Sequence, residues 1–193
     1  MDWALLEKAA EDILYFLAVI NPASKIAYLA AQEPPLNRRE LFRVSCRASA
    51  AALIIFIVMA LSGHFVLEYV FRVDLGTLRV AGGLVMFVIG LQMIREGVAA
   101  HPAHLSEISG RHEDFAIVPL AAPLIAGPGT ITVMISYAAL RGSRAVCLYI
   151  CIAVFINMLI MMSANWLGRL FTRFGVMGAL VKLTGLIVAA VAH

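Results

Sequence analysis

Charged residues are scarce in this sequence, and acidic residues stop at Asp114. Charged residues of both signs make up 14% of the 193 residues, and neither Asp nor Glu follows Asp114. A soluble domain carries about 25% charged residues, so this chain is not expected to fold in water. Beyond Asp114 the chain offers no acid and no nucleophile with an adjacent base. We therefore expect a membrane protein that is not an enzyme.

Two further features are missing, namely a set of metal ligands and a basic leader. Cys147 and Cys151 share a helical face within an apolar run while Cys46 lies at the start of another, so neither a disulfide framework nor zinc-ligand spacing is present. The first dozen residues hold four acidic residues against the single base Lys8, the reverse of a cleavable signal. We expect no metal, no cofactor and no cleaved leader.

Long apolar runs account for most of the chain. Hydrophobic residues make up 62% of it, and the mean hydropathy is +0.92. Six runs approach the length needed to cross about 30 Å of hydrocarbon, and each must be helical, since a loop or strand edge facing lipid leaves backbone groups unsatisfied. We predict an all-α, polytopic membrane protein with a single transmembrane domain over residues 1–193. The predicted spans are Ile13 to Ala31, Ala48 to Val70, Leu75 to Ile94, Phe115 to Ala139, Val146 to Leu167, and Met177 to the end.

The basic residues are distributed unequally between the two sides of these spans. The loops after spans one, three and five hold nine Lys and Arg residues, whereas the other side holds five. Because basic loops stay in the cytoplasm, we expect both termini to face outward. With three spans in each half, the second half then enters the membrane in the opposite orientation, which is the geometry of an inverted repeat.

Three short stretches recur in the same order in the two halves. Their offsets are 106, 101 and 102 residues, and offsets that differ by only five residues, in the same order, favour duplication over coincidence. We predict a first repeat over about residues 10–97 and a second over about residues 114–193. The matched stretches are Asn21 to Ser24 with Gly127 to Thr130, Ser62 to Phe65 with Ser163 to Trp166, and Gly83 to Leu84 with Gly185 to Leu186.

Prolines interrupt the first and fourth spans. Proline lacks an amide hydrogen and its ring collides with the carbonyl four residues earlier, so a helix with Pro22 or Pro128 at mid-depth must kink or unwind. In the fourth span Pro119 and Pro123 precede the stretch from Gly127 to Gly129, a composition that no continuous straight helix accommodates. We predict that both spans are broken.

Broken helices within a membrane offer binding groups for a polar solute. Irregular backbone is tolerated there only beside protein or a polar cavity, and half-helix ends present amides of partial positive and carbonyls of partial negative charge. A zwitterion suits such a site: its carboxylate would bind amides, and its ammonium would bind freed carbonyls and the side chain of Asn21. The predicted binding residues are Asn21, Pro22, Ser24, Lys25, Gly127, Pro128, Gly129, Thr130 and Thr132.

Purely structural interpretations of the same residues stay open. The prolines can simply kink helices, and Asn21, Ser24 and Thr130 can hydrogen-bond between helices. Lys25 lies in an apolar run, where an ammonium either marks a solute or ion route or extends its stem to the cytoplasmic surface. Two functions remain in competition: a transporter, whose broken spans enclose a binding site, and a membrane scaffold or stress-related protein, in which the breaks are packed shut.

The sequence resembles the MarC-like family of bacterial and archaeal inner-membrane proteins over nearly its whole length. The resemblance rests on the stretches Ile20 to Lys25, Arg79 to Leu84, Val118 to Pro123 and Ala126 to Thr130. It implies a six-span, multi-pass protein of the bacterial inner membrane that takes up or exchanges small neutral amino acids such as glycine and alanine.

The partners expected from these interpretations are a neutral amino acid as substrate and the surrounding lipid bilayer. A coupling cation is left open, nucleic acid is not expected, and the oligomeric state is not predicted. The sixth span departs from the family pattern, because Lys182 near its start and His193 at its end leave about ten uncharged residues between them. Either the chain is truncated or neighbours shield the end of that helix.

Overall fold

A computed structural model of the chain describes residues 3–30, 32, 35–65, 74–96 and 125–191. Those residues form eight α-helices and contain no β-strand, so the predicted all-helical class is confirmed for them. The helices are α1 Trp3–Ile20, α2 Pro22–Ala30, α3 Arg38–Phe65, α4 Leu75–Glu96, α5 Pro128–Arg141, α6 Ser143–Met162, α7 Ala164–Arg173 and α8 Met177–Val191.

Three stretches of the described residues are long and apolar enough to cross a membrane. They are Glu7–Ala30, which comprises most of α1 together with α2, Arg38–Ser62 and Ser143–Met162. The apolar part of α8, Gly178–Ala190, is shorter. On α4, Val80 and Leu84 are exposed to 74% and 63%, an arrangement suited to a surface that faces lipid.

The helix α3 begins ten residues before the predicted span at Ala48. Its start is fixed by a reciprocal cap: Asn37 Oδ1 accepts hydrogen bonds from the amides of Arg39 and Glu40, both at 2.9 Å, and Glu40 Oε2 accepts one from the amide of Asn37 at 2.9 Å. Such a capping box satisfies free amides of the first turn. The helix therefore extends beyond the apolar run into a polar, interfacial segment.

The predicted fifth span, Val146 to Leu167, was wrong as a single helix. The structure ends α6 at Met162 and starts α7 at Ala164, because the Ser163 amide bonds to the carbonyl of Ile160, three residues back, at 3.0 Å. That tighter turn redirects the chain just where its polar residues begin. Asn165 Nδ2 then donates to the Leu36 carbonyl at 2.7 Å, which fastens α7 to the segment before α3.

Helices α1 and α5 pack together in opposite directions. Arg141 forms an ion pair with Asp12 at 3.3 Å, and one turn further along α1 the rings of Tyr15 and Tyr137 stack at 5.0 Å. Residues later in α1 thus meet residues earlier in α5. The hydrophobic cluster of Val19 with a partly buried Val133 continues the same register.

Two further pairs of helices pack against each other, α3 on α6 and α4 on α8. Cys46 of α3 donates to Met158 Sδ of α6 at 3.9 Å. Between α4 and α8 the backbones themselves meet: a Cβ added at Gly90 would lie 2.6 Å from the Gly185 carbonyl oxygen, and one added at Gly185 would lie 2.9 Å from the Gly90 carbonyl oxygen. Only glycine permits this approach.

Candidate binding site at the helix breaks

The first break is a single residue between α1 and α2. Asn21 has φ of 58°, a left-handed conformation that asparagine tolerates better than other residues with a Cβ. Its amide still bonds to the Leu17 carbonyl at 3.0 Å, so it closes α1 as a left-handed cap. Pro22 follows at the first position of α2, where its missing amide hydrogen and fixed φ are favourable.

The side chains at this break satisfy much of its backbone. Asn21 Oδ1 accepts a hydrogen bond from the Ser24 amide at 3.3 Å, and Ser24 Oγ donates to the Asn21 carbonyl at 2.8 Å. Asn21 Nδ2 is directed at Met93 Sδ of α4, 3.5 Å away. A thioether is a weak acceptor, so this amide group is the one most open to a better partner.

Lys25 does not extend to the surface. Its side chain is 1% exposed, and its ammonium donates to the carbonyl of Ile20, the last residue of α1. The carbonyl end of a helix attracts a cation, which explains the direction of the side chain. No carboxylate among the described residues pairs with this charge. A buried charge without a counter-ion is unfavourable unless a ligand or a further group neutralises it.

The second break differs in having no side-chain cap. Helix α5 begins at Pro128, and Gly127 before it has φ of −72° and ψ of 166° without a capping hydrogen bond from a side chain. The Gly127 carbonyl accepts from the Ile131 amide at 2.9 Å. Pro119 and Pro123 lie outside the described residues, so only the α5 side of this break is described.

Helix α4 contacts both breaks through two buried methionines. Met93 meets Asn21, and a Cβ added at Gly129 would lie 2.2 Å from Met86 Cγ. Seven residues of helix rise separate the two methionines by about 10 Å. The structure therefore places the two breaks against one face of α4. The sequence did not predict the role of Met86 and Met93, because a methionine in an apolar run carries no recognisable signal.

The two threonines predicted at the second break are both buried, Thr130 to 7% exposure and Thr132 to 8%. A Cβ added at Gly82 of α4 would lie 2.5 Å from Thr132 Oγ1, so glycine lets α4 approach this residue. Thr132 also lines a cavity of about 880 Å³, bordered by α1, α4, α5 and α8. Ser136 and the stacked pair of Tyr15 and Tyr137 line the same cavity.

The start of α4 carries its own acidic cap. Asp74 accepts hydrogen bonds from the amide of Thr77 at 2.8 Å and from its hydroxyl at 2.7 Å. These bonds favour the ionised carboxylate and hold the pKa of Asp74 below its ordinary value. The helix that contacts both breaks is thus anchored at its first turn outside the apolar segment.

Comparison with known proteins gives one consistent group. A model for "MarC family integral membrane protein" matches residues 6–193. A UPF0056 membrane protein of Pyrococcus horikoshii is 29% identical over 187 residues, which cover 97% of this chain and 90% of that protein. A UPF0056 membrane protein of Methanocaldococcus jannaschii is 30% identical over 196 residues, with 94% and 93% covered.

A bacterial relative carries a more specific name. The UPF0056 inner membrane protein MarC of Citrobacter koseri is 32% identical over 134 residues, which cover 65% of this chain and 59% of that protein. No solved structure matches the chain. The names of these relatives describe membrane proteins and state no substrate.

Proposed function

Because the chain belongs to the MarC family of integral membrane proteins, we propose that it is a secondary transporter of small neutral amino acids such as glycine and alanine. It works by alternating access in the bacterial inner membrane, the location named for the relative from Citrobacter koseri. The observation that carries the proposal is the buried ammonium of Lys25 at the first break, directed at a helix end and without a carboxylate partner among the described residues.

A carboxylate supplied by the solute would complete this arrangement. Charge-assisted hydrogen bonds to an ammonium are the strong ones, and the uncapped first turn of α5 offers a second attractive region for an anion. Freed carbonyls were expected to receive the ammonium of the solute, and the one at the end of α1, that of Ile20, is occupied by Lys25 itself. In this proposal the amino acid therefore presents its carboxylate to Lys25 and to α5, with Thr130 nearby in the first turn of that helix.

The six-span inverted repeat is part of the proposal, and the packing of the described helices supports it. Counterpart helices contact one another as α1 with α5, α3 with α6 and α4 with α8. Pairwise contact between the helices that hold the same place in each half is what a duplicated fold predicts.

The outward orientation of both termini is proposed from the distribution of basic loops. The ion pair of Asp12 with Arg141 fits a topology in which the start of span one and the end of span four lie on the same side, whichever side that is. We propose no catalytic residue and no nucleic-acid partner, and the coupling cation is unassigned.

One observation favours the scaffold alternative. Ile20 and Ile26 beside the first break and Ile125 and Ala126 beside the second belong to one hydrophobic cluster. The space between the breaks is therefore filled by side chains in this conformation. A transporter visits such an occluded state and leaves it, whereas a scaffold stays in it.

Uptake by the purified protein in liposomes distinguishes a transporter from a scaffold. We expect saturable uptake of labelled glycine or alanine, and a reduced rate for Asn21→Ala because it removes both the cap and the amide directed at Met93. Ser62→Ala is the matched control, since that exposed serine bonds only to its own helix. Liposomes with no saturable flux for any small amino acid would eliminate the transporter and leave the scaffold.

A thermal-shift screen across amino acids gives an independent measurement. A ligand that binds only the folded protein stabilises it by about 2.7 kcal/mol at one hundred times its Kd. We expect small zwitterions to raise the melting temperature, and larger or purely cationic amino acids to leave it unchanged. A melting temperature that no amino acid alters contradicts a specific site.

A further inference from the structure

Three buried oxygen atoms on α3 and α6 have no hydrogen-bond partner within the described part of the chain. They are Ser45 Oγ, Ser49 Oγ and Asn157 Oδ1, on side chains exposed to 0%, 5% and 0%. Buried polar atoms are nearly always paired, and each exception calls for an explanation such as a ligand or an ordered water. None of the three was among the residues predicted to bind the solute.

The two serines behave differently from other helical hydroxyls of the same chain. Ser62 Oγ, Ser163 Oγ and Thr184 Oγ1 each donate to the carbonyl four residues earlier, at 2.7 Å, 3.1 Å and 3.0 Å. This is the default bond of a hydroxyl in an apolar helix. Ser45 and Ser49 leave it unmade, so their hydroxyls are positioned for a partner outside their own helix.

Asn157 is oriented so that only its oxygen is free. Its Nδ2 donates to Met161 Sδ at 3.2 Å, which leaves Oδ1 as the unpaired atom. The three unpaired groups therefore all offer oxygen lone pairs. Each serine also carries one O–H, which can rotate to the carbonyl four residues earlier when its oxygen accepts a bond. Three acceptor oxygens are then suited to a group that carries several N–H bonds.

The register of α3 and α6 brings these residues together. Cys46 and Met158 mark the seam between the helices, which run in opposite directions, since Leu36 lies next to Asn165. Ser45 and Asn157 each precede a seam residue by one position, a step that turns both side chains to the same flank of an antiparallel pair. Ser49 follows Ser45 by one turn on that flank, and Asn157 lies level with the interval between the two serines.

The cluster lies at the depth of the second break. Gly142 alone joins α5 to α6, and those helices pack against each other. Gly127 and Asn157 are both fifteen residues from that glycine, on opposite sides of it. Because helices rise by the same amount per residue, the start of α5 and Asn157 lie at comparable depth. Helix α5 also packs against α3, so the interior flank of the seam borders the proposed site.

We propose that Ser45, Ser49 and Asn157 receive the ammonium group of the transported amino acid. An ammonium has three donors and no acceptor, which matches three acceptor oxygens. Lys25 attracts the carboxylate and repels the ammonium, so the two groups together fix the orientation of the zwitterion. The assignment rests on the proposed transport function and adds the residues that distinguish an amino acid from a simple carboxylic acid.

The test compares alanine with propionate, which lacks the amino group, in proteoliposomes of the full chain. For Ser45→Ala, Ser49→Ala and Asn157→Leu we expect the KM for alanine to rise about tenfold, the effect of losing one hydrogen bond to a charged group. Inhibition by propionate should change less than about twofold, since it makes no such bond. Ser62→Ala and Ser163→Ala, whose hydroxyls have helical partners, should match the unaltered protein in both measurements.

Folding is not expected to interfere, because Ser→Ala at either position removes an unpaired buried hydroxyl. The melting temperature of both variants should therefore equal or exceed that of the unaltered protein. If the variants keep the KM of the controls, or lose affinity for propionate equally, the assignment is overturned while transport stands. Absence of uptake by the unaltered protein rejects the proposed function and this assignment together.

Replacing external sodium by choline separates the ammonium from a metal cation as occupant. We expect the variants to show the same raised KM in both media. A sodium requirement that the unaltered protein shows and the three variants lose would assign the oxygens to a sodium ion and overturn the proposal.

Discussion

The breaks before Pro22 and Pro128, which the proposed repeat would make equivalent, are completed differently. At the first, Asn21 and Ser24 satisfy the backbone and Lys25 supplies a cation to the carbonyl end of α1. At the second, Gly127 offers no side chain and α5 begins uncapped. Three residues of the first break, Asn21, Ser24 and Lys25, are polar or charged, whereas Gly127 supplies no side chain at the second.

This difference suggests a division of labour. The side chains of the first break bond to its backbone and add the amino group of Lys25. The second leaves backbone amides of α5 to be met from outside the helix. In the proposed transporter both breaks therefore bind the carboxylate of the solute, the first through a side chain and the second through backbone amides.

Removing the charge of the first break should have the largest effect. Lys25→Met is expected to lower amino-acid uptake roughly 10- to 100-fold, since a hydrogen bond to a charged group contributes about 1.5–3 kcal/mol. The melting temperature should hold or rise, because an apolar side chain of similar length replaces a buried charge. Uptake and melting are measured on the same preparation, with Lys25→Arg as the charge-preserving control.

Adding a methyl group at the second break should destabilise the fold more than removing one at the aligned position of the first, where glycine in a helix costs about 0.5–1 kcal/mol. Gly129→Ala places a Cβ 2.2 Å from Met86 Cγ, and overpacking of this kind destabilises by about 1–3 kcal/mol. The aligned residue Ala23 already carries a methyl group, so Ala23→Gly is the matched control. Equal melting temperatures for Gly129→Ala and the unaltered protein would contradict the close contact with α4.

Substitutions of Asn21 separate its conformation from its cap. Asn21→Ala loses a cap worth about 1 kcal/mol and places alanine at positive φ for about 1 kcal/mol more. Asn21→Gly avoids the second penalty and, at a capping position, differs from asparagine by only a few tenths of a kcal/mol. Denaturant unfolding should therefore rank the unaltered protein and Asn21→Gly close together, above Asn21→Ala. The reverse order for the two variants would show that φ of 58° is not maintained.

Placing a capping side chain at the second break tests whether its free amides bind the solute. Gly127→Asn adds a capping side chain where the backbone is already extended, and should stabilise the protein by a few tenths of a kcal/mol. It should also weaken amino-acid uptake, because the new side chain competes for the amides of α5. Uptake that is unchanged while stability rises would show that these amides do not contact the solute.

The smallest effect is expected at Asp74, which supports the helix shared by both breaks. Its pKa is held below the ordinary value by the Thr77 amide and hydroxyl, so its contribution to stability is present above the unfolded-state pKa. That contribution is lost as the pH falls through the lowered folded-state pKa. Asp74→Asn should reduce this part of the acid dependence of the melting temperature, and an identical profile for both proteins would contradict the cap.

The sequence predicts some elements of this fold better than others. A proline in the middle of an apolar run has a local consequence, so the interruption at Pro22 was predictable. The turn at Ser163 was missed because a hydropathy run counts apolar residues through Leu167 and ignores where the helix direction changes. The early start of α3 was missed for the same reason, although Asn37 followed by Glu40 three residues later is a recognisable capping signal.

The candidate site was less predictable than the fold. From its position in the sequence, the side chain of Lys25 could either extend to the cytoplasmic surface or stay buried. Only the packing of the folded protein directs its ammonium to the Ile20 carbonyl. Asn157 looks like many asparagines that bond between helices, and its free oxygen becomes visible only once Met161 is seen to take its amide. Long-range register, which sets Met86 and Met93 against the two breaks, leaves no local signature.

The contact between Gly90 and Gly185 has a mechanical consequence. It brings the backbones of α4 and α8 together, with only the Cβ atoms of Met93 and Ala189 close beside the two glycines, so little side-chain length is available there to fill a gap. Separating α4 from α8 at this contact would leave an empty cavity that no nearby side chain could fill. The helices α4 and α8 are therefore expected to move together as one rigid pair. Opening of the proposed binding site toward either side of the membrane must then come from bending at the interrupted helices.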